Sequence, residues 1–147
     1  MKLQTASSAI SFAKKLEDES AKFYQDLAQR YAEGRDTFVS FAKENGKNVV
    51  QIERAYYGVI SDAIEGCFSF NIDSDAYTVE TVLAKDASYS DALGRAIELE
   101  ERIGKFYSDA AEQSKALMAD VPRAFTMIAK KRANRGSELR SLLGKEG

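Results

Sequence analysis

The chain has 147 residues, of which 44% are hydrophobic and 30% are charged, and its formal net charge is −2. This length suits a single domain over residues 1–147, which can bury roughly 68–70% of the surface exposed by the unfolded chain. The chain contains no histidine, which excludes Ser-His-Asp and Cys-His nucleophilic sites, His-ligated zinc and His-ligated haem. One proline and nine glycines leave few chain breaks, so long helices are favoured.

The first two predicted helices are joined by a short link. The first spans about 7–32, follows the cap candidates Thr5, Ser7 and Ser8, and stops near Gly34. The second spans about 37–65, with Asp36 as its N-cap and Gly66 as its stop. Because the link between them is tight, we expect the two helices to form an antiparallel hairpin.

Two further helices follow a longer connection, about residues 67–88. The third helix spans about 90–116 and is capped by Ser88 or Ser90. The fourth spans about 121–143, with Asp120 and Pro122 in its first turn and Gly144 at its end. The connection includes a short predicted helix over 78–85 and is long enough to cross a bundle. The sequence therefore predicts an all-α fold, a ferritin-like four-helix bundle of two antiparallel hairpins joined by one long crossover.

The two predicted hairpins repeat each other in sequence. Glu17 and Tyr24 within LEDESAKFYQDLA match Glu100 and Tyr107 within LEERIGKFYSDAA at an offset of 83 residues. The partner helices match at an offset of 87 residues, where TFVSFAKENGKNVVQI corresponds to AFTMIAKKRANRGSEL. Several matches at two consistent offsets indicate a duplicated helical hairpin.

Each predicted helix also places polar residues in the middle of its apolar face. Helices one and three each have a glutamate there, whereas helices two and four each have two polar residues spaced by three, which share a helix face. Polar groups in a bundle core are costly unless they are paired. We therefore predict that these residues form one site: Glu17, Asn45, Asn48, Glu100, Arg132 and Arg135.

This pattern resembles the rubrerythrin-like branch of the ferritin-like superfamily over nearly the whole chain. That family has a Glu seven residues before a Tyr on helices one and three, and the two repeated Glu-x6-Tyr motifs of this chain match it. The resemblance implies that Tyr24 and Tyr107 lie beside the two glutamates. It also implies Glu-x-x-His on helices two and four, and a pair of metal ions, usually iron, for oxidase or peroxidase chemistry.

The second family motif is lost twice in this chain, where Asn45-Gly-Lys-Asn48 and Arg132-Ala-Asn-Arg135 stand in its place. The cysteine-rich module of full rubrerythrins is also missing. Two carboxylates and two guanidinium groups sum to zero charge without any metal, and arginine keeps its proton and cannot be a ligand. We therefore predict that the arginines pair with the glutamates, that the asparagines complete the hydrogen bonds, and that there is no cofactor and no catalytic residue.

Three functions follow from this pattern. The favoured one is a non-catalytic helical structural or interaction module that has lost di-iron chemistry, in which Tyr56 and Tyr57 either form a homodimer interface or pack under the crossover. The second is a di-metal (iron or manganese) oxidoreductase with rearranged carboxylates, drawn from Glu44, Glu53, Glu101 and Glu138, or keeping only Glu17 and Glu100. The third is a bundle that binds a small anionic ligand at its core arginines.

The sequence also sets expectations about compartment and partners. Cys67 is the single cysteine and no signal peptide is visible, so we expect a cytoplasmic protein. No apolar run is long enough to span a membrane. Residues 121–147 carry 7 basic and 2 acidic side chains, but the acidic chain has no nucleic-acid-binding motif, so we expect no nucleic-acid partner.

Overall fold

The computed structural model describes residues 2–59, 70–114 and 120–146, although the side chains of residues 57–59 and 120 lie outside that description. Two-residue strands, β1 (Lys2–Leu3) and β2 (Ile72–Asp73), pair antiparallel beside the helices. No helix in the described ranges is long and apolar enough to cross a membrane. The predicted all-α class is confirmed, because these ranges consist mainly of four long helices: α1 (Ala6–Arg30), α2 (Arg35–Val59), α3 (Tyr89–Ser114) and α4 (Asp120–Glu146).

Side-chain caps begin α1 and α3 where the sequence predicts. The Thr5 hydroxyl accepts a hydrogen bond from the Ser8 N–H at 3.1 Å, and the Ser8 hydroxyl accepts one from the Thr5 N–H at 3.1 Å. At α3 the cap is Ser88, not Ser90: its hydroxyl accepts from the Asp91 N–H and its own N–H donates to the Asp91 carboxylate, both at 3.0 Å. Each reciprocal pair satisfies donors that a first helical turn leaves free, and so fixes where the helix begins.

Other predicted boundaries are wrong. Asp36 is not the N-cap of α2, because a 3₁₀ turn over Ala32–Gly34 runs directly into α2 and places Asp36 inside its first turn. Gly144 does not end α4, which continues to Glu146, since no described glycine adopts the left-handed conformation that usually terminates a helix. The predicted end of α2 near Gly66, and Cys67, lie outside the described residues.

The described part of the crossover is not helical where a short helix is predicted. Ser74–Tyr77 form a 3₁₀ turn, but residues 78–85 belong to no helix. Half of those residues are β-branched, which lowers helix propensity. Long side chains from the bundle hold this backbone instead, because Arg30 donates to the Ala84 carbonyl at 2.6 Å and Arg95 donates to the Glu80 carbonyl at 2.5 Å.

Contacts within each hairpin show that its two helices are antiparallel. In the first hairpin, Phe41 of α2 packs on Tyr24, whereas Asn48, further along α2, reaches back to Glu17. In the second hairpin, the equivalent contacts join Phe125 to Tyr107 and Arg132 to Glu100. The order along one helix is therefore the reverse of the order along its partner.

Contacts between the hairpins give the remaining directions. Phe12 lies on Phe106 and Tyr31 lies on Tyr89, so α1 and α3 are antiparallel. Arg135 contacts Phe41 and Met127 contacts Gln51, so α2 and α4 are antiparallel as well. It follows that α2 and α3 run in the same direction. The connection between them must therefore return along the length of the bundle.

Counterpart positions of the sequence repeat are buried alike. The apolar pairs Leu16 and Leu99, Phe23 and Phe106, and Phe38 and Phe125 all belong to the core, and so do the two Glu-x6-Tyr motifs. Edge-to-face aromatic contacts join the hairpins, as between Phe12 and Phe106, whose ring centroids are 5.1 Å apart. Tyr56 packs half-buried against this core, while the Tyr57 side chain lies outside the described residues.

Close packing at the turn between α1 and α2 predicts a destabilising substitution. A Cβ on Gly34 would lie 2.7 Å from Tyr89 Oη and 2.8 Å from Phe38 Cε2, whereas a Cβ on Gly94 would meet nothing within 4 Å. We expect Gly34→Ala to lower the free energy of unfolding by about 1–3 kcal/mol. Gly94→Ala, inside α3, should raise it by about 0.4–1 kcal/mol. Urea denaturation measures both, and equal effects would contradict the packing described at Gly34.

Candidate functional site

Polar residues from all four helices meet in the middle of the core. The structure brings together all six positions that the sequence assigns to one site, and each of them is at most 2% exposed. Three further residues join them: Ser20, Glu44 and Tyr107. We call these nine residues the central polar network: Glu17, Ser20, Glu44, Asn45, Asn48, Glu100, Tyr107, Arg132 and Arg135.

Arg132 pairs with a glutamate, as the sequence predicts, and in the structure it lies between both of them. Its Nη2 donates to Glu17 Oε2 at 2.5 Å, and its Nη1 donates to Glu100 Oε2 at 2.6 Å and to Oε1 at 2.8 Å. The side chains of Arg132 and Glu17 are fully buried, so water does not screen these ion pairs. Charge-assisted hydrogen bonds of this length are among the strong ones in proteins. One cation therefore connects α4 to both α1 and α3.

Neutral groups complete the hydrogen bonds around Arg132. Its Nη1 also donates to Ser20 Oγ at 3.0 Å, and its Nη2 donates to Asn45 Oδ1 at 3.2 Å. Asn45 Nδ2 in turn donates to Ser20 Oγ at 3.2 Å. Tyr107 Oη donates to Glu17 Oε1 at 2.7 Å, whereas the contact from Asn48 Nδ2 to the same oxygen is long, at 3.4 Å.

Arg135 departs in part from the predicted pairing. Its Nη1 lies 3.6 Å from Glu100 Oε1, but its hydrogen-bonded carboxylate is Glu44, whose Oε1 is 3.1 Å from Nη2 and 3.2 Å from Nε. Nη2 also donates to the Phe41 carbonyl at 2.9 Å, and the guanidinium carbon lies 4.8 Å from the Phe41 ring centroid. Arg135 therefore connects α4 to α2 at the edge of the core.

The two halves of the repeat differ at the network. Tyr107 donates to the glutamate of the opposite hairpin, whereas its counterpart Tyr24 donates no hydrogen bond of ordinary geometry to the described residues. Asn48 Oδ1, Arg132 Nε and Arg135 Nη1 are likewise buried without such a partner among those residues. The duplicated backbone thus carries an asymmetric network, in which Glu17 accepts from Tyr107 and Glu100 accepts from Arg132 on both oxygens.

Burial and neighbouring charges shift the pKa values of the network. Burial raises the pKa of Glu100, although Arg132 and Arg135 oppose this shift. Burial lowers the pKa of Arg132, but the negative charges of Glu100 and Glu17 outweigh it and hold that pKa well above its usual range. For Tyr24 and Tyr107, burial and then the facing carboxylate raise the pKa well above 10.0. Arg132 therefore stays charged, and both tyrosines stay protonated, at neutral pH.

The carboxylates that a rearranged metal site would need are engaged elsewhere. Glu53 pairs with Lys14 at 3.4 Å, Glu101 pairs with Arg140, and Glu44 pairs with Arg135. Glu138 is exposed on α4. Within residues 2–59, 70–114 and 120–146, no group of three or more His, Cys, Asp or Glu side chains is placed to hold a metal ion.

Two members of the network were not predicted from the sequence. Ser20 lies three residues after Glu17, so its place on the same helix face is visible in the sequence. A serine at a core position is a weak signal by itself, because its hydroxyl is commonly satisfied by its own helix. Glu44 borders the apolar face of α2, and only the packing of α2 against α4 brings it to Arg135.

Known proteins add no evidence about function, so the geometry of the central polar network is the main evidence. No protein-family model matches the chain, and no match was found among curated proteins or solved structures.

Removing the central cation should destabilise the fold. Arg132→Met leaves Glu17 buried without a counter-charge and Glu100 with only the more distant Arg135, so we expect the free energy of unfolding to fall by about 3–5 kcal/mol at neutral pH. The loss should shrink in mild acid, because buried unpaired carboxylates have raised pKa values and take up protons more readily in the folded state. Chemical denaturation at both pH values measures this.

Two variants control for the Arg132→Met result. Arg140→Met removes an exposed partner of Glu101, so its effect should stay below about 1 kcal/mol. Adding Glu17→Gln and Glu100→Gln to Arg132→Met removes all three charges and should recover part of the stability. An Arg132→Met protein as stable as the Arg140→Met protein would contradict the buried ion pairs.

The buried tyrosines predict how stability changes in alkali. In the unfolded chain Tyr24 and Tyr107 lose their protons near pH 10.0, whereas the folded chain retains them at higher pH. The free energy of unfolding should therefore decline as pH rises above about 10, since the folded state binds more protons there. Phenolate absorbance should show these tyrosines titrating late, together with Tyr77, whose pKa is raised by burial and by its hydrogen bond to Asp109. The double variant Tyr24→Phe and Tyr107→Phe should therefore reduce the late component by the amplitude of two tyrosines. Ionisation of all seven tyrosines near pH 10 in the folded protein would contradict it.

Proposed function

We propose that this chain is a metal-independent, rubrerythrin-like member of the ferritin-like superfamily, which acts as a non-catalytic helical structural or interaction module. One observation carries the proposal: the Arg132 guanidinium donates to Glu17 and Glu100 simultaneously, at the centre of the six positions that correspond to the family's metal site. These are the two glutamates that match the family motif, and their oxygens accept hydrogen bonds from Arg132 and from the Tyr107 hydroxyl.

The directions of the helices support the ferritin-like part of the proposal. Each helix is antiparallel to the neighbours it packs against, and α2 runs parallel to α3. A four-helix bundle with one long crossover connection is the ferritin-like arrangement, whereas a simple up-down bundle would make α2 and α3 antiparallel neighbours. The burial of both Glu-x6-Tyr motifs at equivalent places adds a second, independent support.

The residues present do not fit a pair of metal ions. Such a site needs about four carboxylates and two imidazoles, as in di-iron bundles. Here Asn45 and Asn48 are neutral amides, and Arg132 and Arg135 are cations that cannot act as ligands. A metal ion close to Glu17 and Glu100 would also meet the guanidinium 2.5–2.8 Å from their oxygens. The charges of Glu17 and Glu100 are balanced by those of Arg132 and Arg135 without it.

The other two functions have less support. A di-metal enzyme with rearranged ligands would require Glu44, Glu53 and Glu101 to leave ion pairs with residues of α1 and α4. A small anion at the core arginines would have to compete with these carboxylates. The groove between α3 and α4 that reaches Arg132 is lined by two acidic and two basic residues, so it does not attract anions: Glu100, Glu101, Arg132 and Arg140.

Metal analysis tests the proposal directly. Protein purified without chelator and then incubated with ferrous iron or manganese should retain far less than the two metal ions per chain of a di-iron bundle. Thermal unfolding should show no stabilisation by either metal, because a ligand that binds only the folded state would raise the midpoint. Two tightly held ions per chain would overturn the proposal.

Reconstruction tests whether the six positions correspond to the family site. The variant Asn45→Glu, Asn48→His, Arg132→Glu and Arg135→His restores both Glu-x-x-His motifs beside Glu17 and Glu100, and we expect it to bind iron. A matched variant with Gln in place of Glu at positions 45 and 132, and the same histidines, lacks the carboxylates and should bind far less. A folded reconstruction that ignores iron would contradict the proposed correspondence.

A further inference from the structure

The solvent-facing side of α2 carries cations and apolar residues in one stripe. The residues follow one another at spacings of one, three and four, so they share the side of the helix opposite the core. All six are exposed. We call this stripe the α2 outer face: Val39, Lys43, Gly46, Lys47, Val50 and Arg54.

The two glutamates of α2 form ion pairs with neighbouring helices rather than with the cations of the α2 outer face. Glu44 forms an ion pair with Arg135 of α4, and Glu53 forms an ion pair with Lys14 of α1, on the opposite flank of α2. Within the described part of the chain, no ion pair is formed by the three cations of this face: Lys43, Lys47 and Arg54. The bundle thus engages both glutamates of α2 in its own packing. One exposed acid, Asp36, remains at the start of the helix beside Val39, against three exposed cations.

The apolar side chains of the same face are unusually exposed to solvent. Val39 is 38% exposed and Val50 is 48% exposed, and both belong to the few large apolar side chains of the described chain that remain in solvent. A Cβ placed on Gly46 would meet nothing within 4 Å, so a notch lies between Lys43, Lys47 and Val50. Glycine inside a helix costs about 0.5–1 kcal/mol relative to alanine. An open glycine here therefore weakens α2 with no compensating contact inside the bundle.

We propose that the α2 outer face binds an acidic amphipathic helix of a partner protein. This proposal rests on the proposed function of the chain as an interaction module. Glutamates or aspartates of such a helix would pair with Lys43, Lys47 and Arg54, and its apolar side chains would enter the notch at Gly46 and contact Val39 and Val50. This is the helix-against-helix mode of recognition, in which apolar anchors give affinity and charges give orientation.

The shape and charge of the face favour this partner over three others. A nucleic acid supplies negative charge but no apolar anchors for the valines. The face does not suit a membrane surface, because its short valines lie between long lysine and arginine side chains. Membrane-binding faces carry large apolar residues such as Trp, Phe and Leu. A symmetric dimer through this face would place like charges against each other.

Peptide binding tests this proposal at physiological ionic strength. The probe is a fluorescein-labelled synthetic helix with Leu at spacings of three and four and Glu elsewhere, and saturable fluorescence anisotropy is expected. The triple variant Lys43→Glu, Lys47→Glu and Arg54→Glu should weaken binding by roughly ten- to hundredfold. The variant Lys15→Glu, Lys22→Glu and Lys105→Glu makes the same change in net charge on α1 and α3, and it should change affinity less than about threefold.

Two further variants separate docking from general attraction between charges. Gly46→Gln should raise the thermal midpoint, since it replaces a helical glycine, yet weaken peptide binding because it fills the notch. Val50→Ser should weaken binding without unfolding the protein.

Four outcomes would overturn the proposal. They are equal weakening by both charge-reversal triples, equal binding of a probe with every Leu replaced by Ser, tighter binding to single-stranded RNA or phosphatidylserine vesicles, and no binding to the probe. Metal content plays no part in these measurements, so a failure here leaves the metal test of the proposed function unaffected.

Discussion

The Arg132 guanidinium, buried between Glu17 and Glu100, is the interaction on which the arrangement of the core depends. A buried charge is costly unless its hydrogen bonds are satisfied. Here the two Nη atoms of Arg132, which carry four of its five N–H groups, donate to Glu17, Glu100, Ser20 and Asn45. Because those partners lie on α1, α2 and α3, a shift of α4 relative to any of them would break a buried ion pair or hydrogen bond. The network therefore specifies how the two hairpins meet, whatever its net contribution to stability.

Charge balance explains why this core can exist with no metal ion. A site with four carboxylates needs cations to fill it, and bundles of the di-iron type obtain them from solution. In this chain the cations belong to the polypeptide, so Glu17 and Glu100 are neutralised by residues of α4. The repeat is preserved in its aromatic residues but not in its hydrogen bonds, since Tyr107 donates to Glu17 while Tyr24 makes no such bond of ordinary geometry within the described residues.

Two ion pairs at the sides of α2 determine which charges remain on its outer surface. Glu44 and Glu53 lie on the flanks of α2, where Arg135 and Lys14 reach them from the neighbouring helices. Each pair joins α2 to a neighbouring helix and neutralises one acidic group of α2. The positive stripe with exposed valines is thus a consequence of how the core and its flanks are paired, which connects the interior chemistry to the proposed docking surface.

Much of the fold and of the site was determined by the sequence alone. Apolar periodicity located four helices, and the Glu-x6-Tyr repeat showed which helices of the two hairpins correspond. Polar residues on otherwise apolar faces identified six buried positions, because helical spacing determines which side chains share a face. The tertiary structure decided what spacing within one helix cannot encode: that Arg132 serves both glutamates, that Arg135 turns to Glu44, and that Ser20 joins the network. It also decided that residues 78–85 form no helix, since side chains distant in sequence, Arg30 and Arg95, hold their backbone. These outcomes depend on distances between helices, which arise only when the whole core packs.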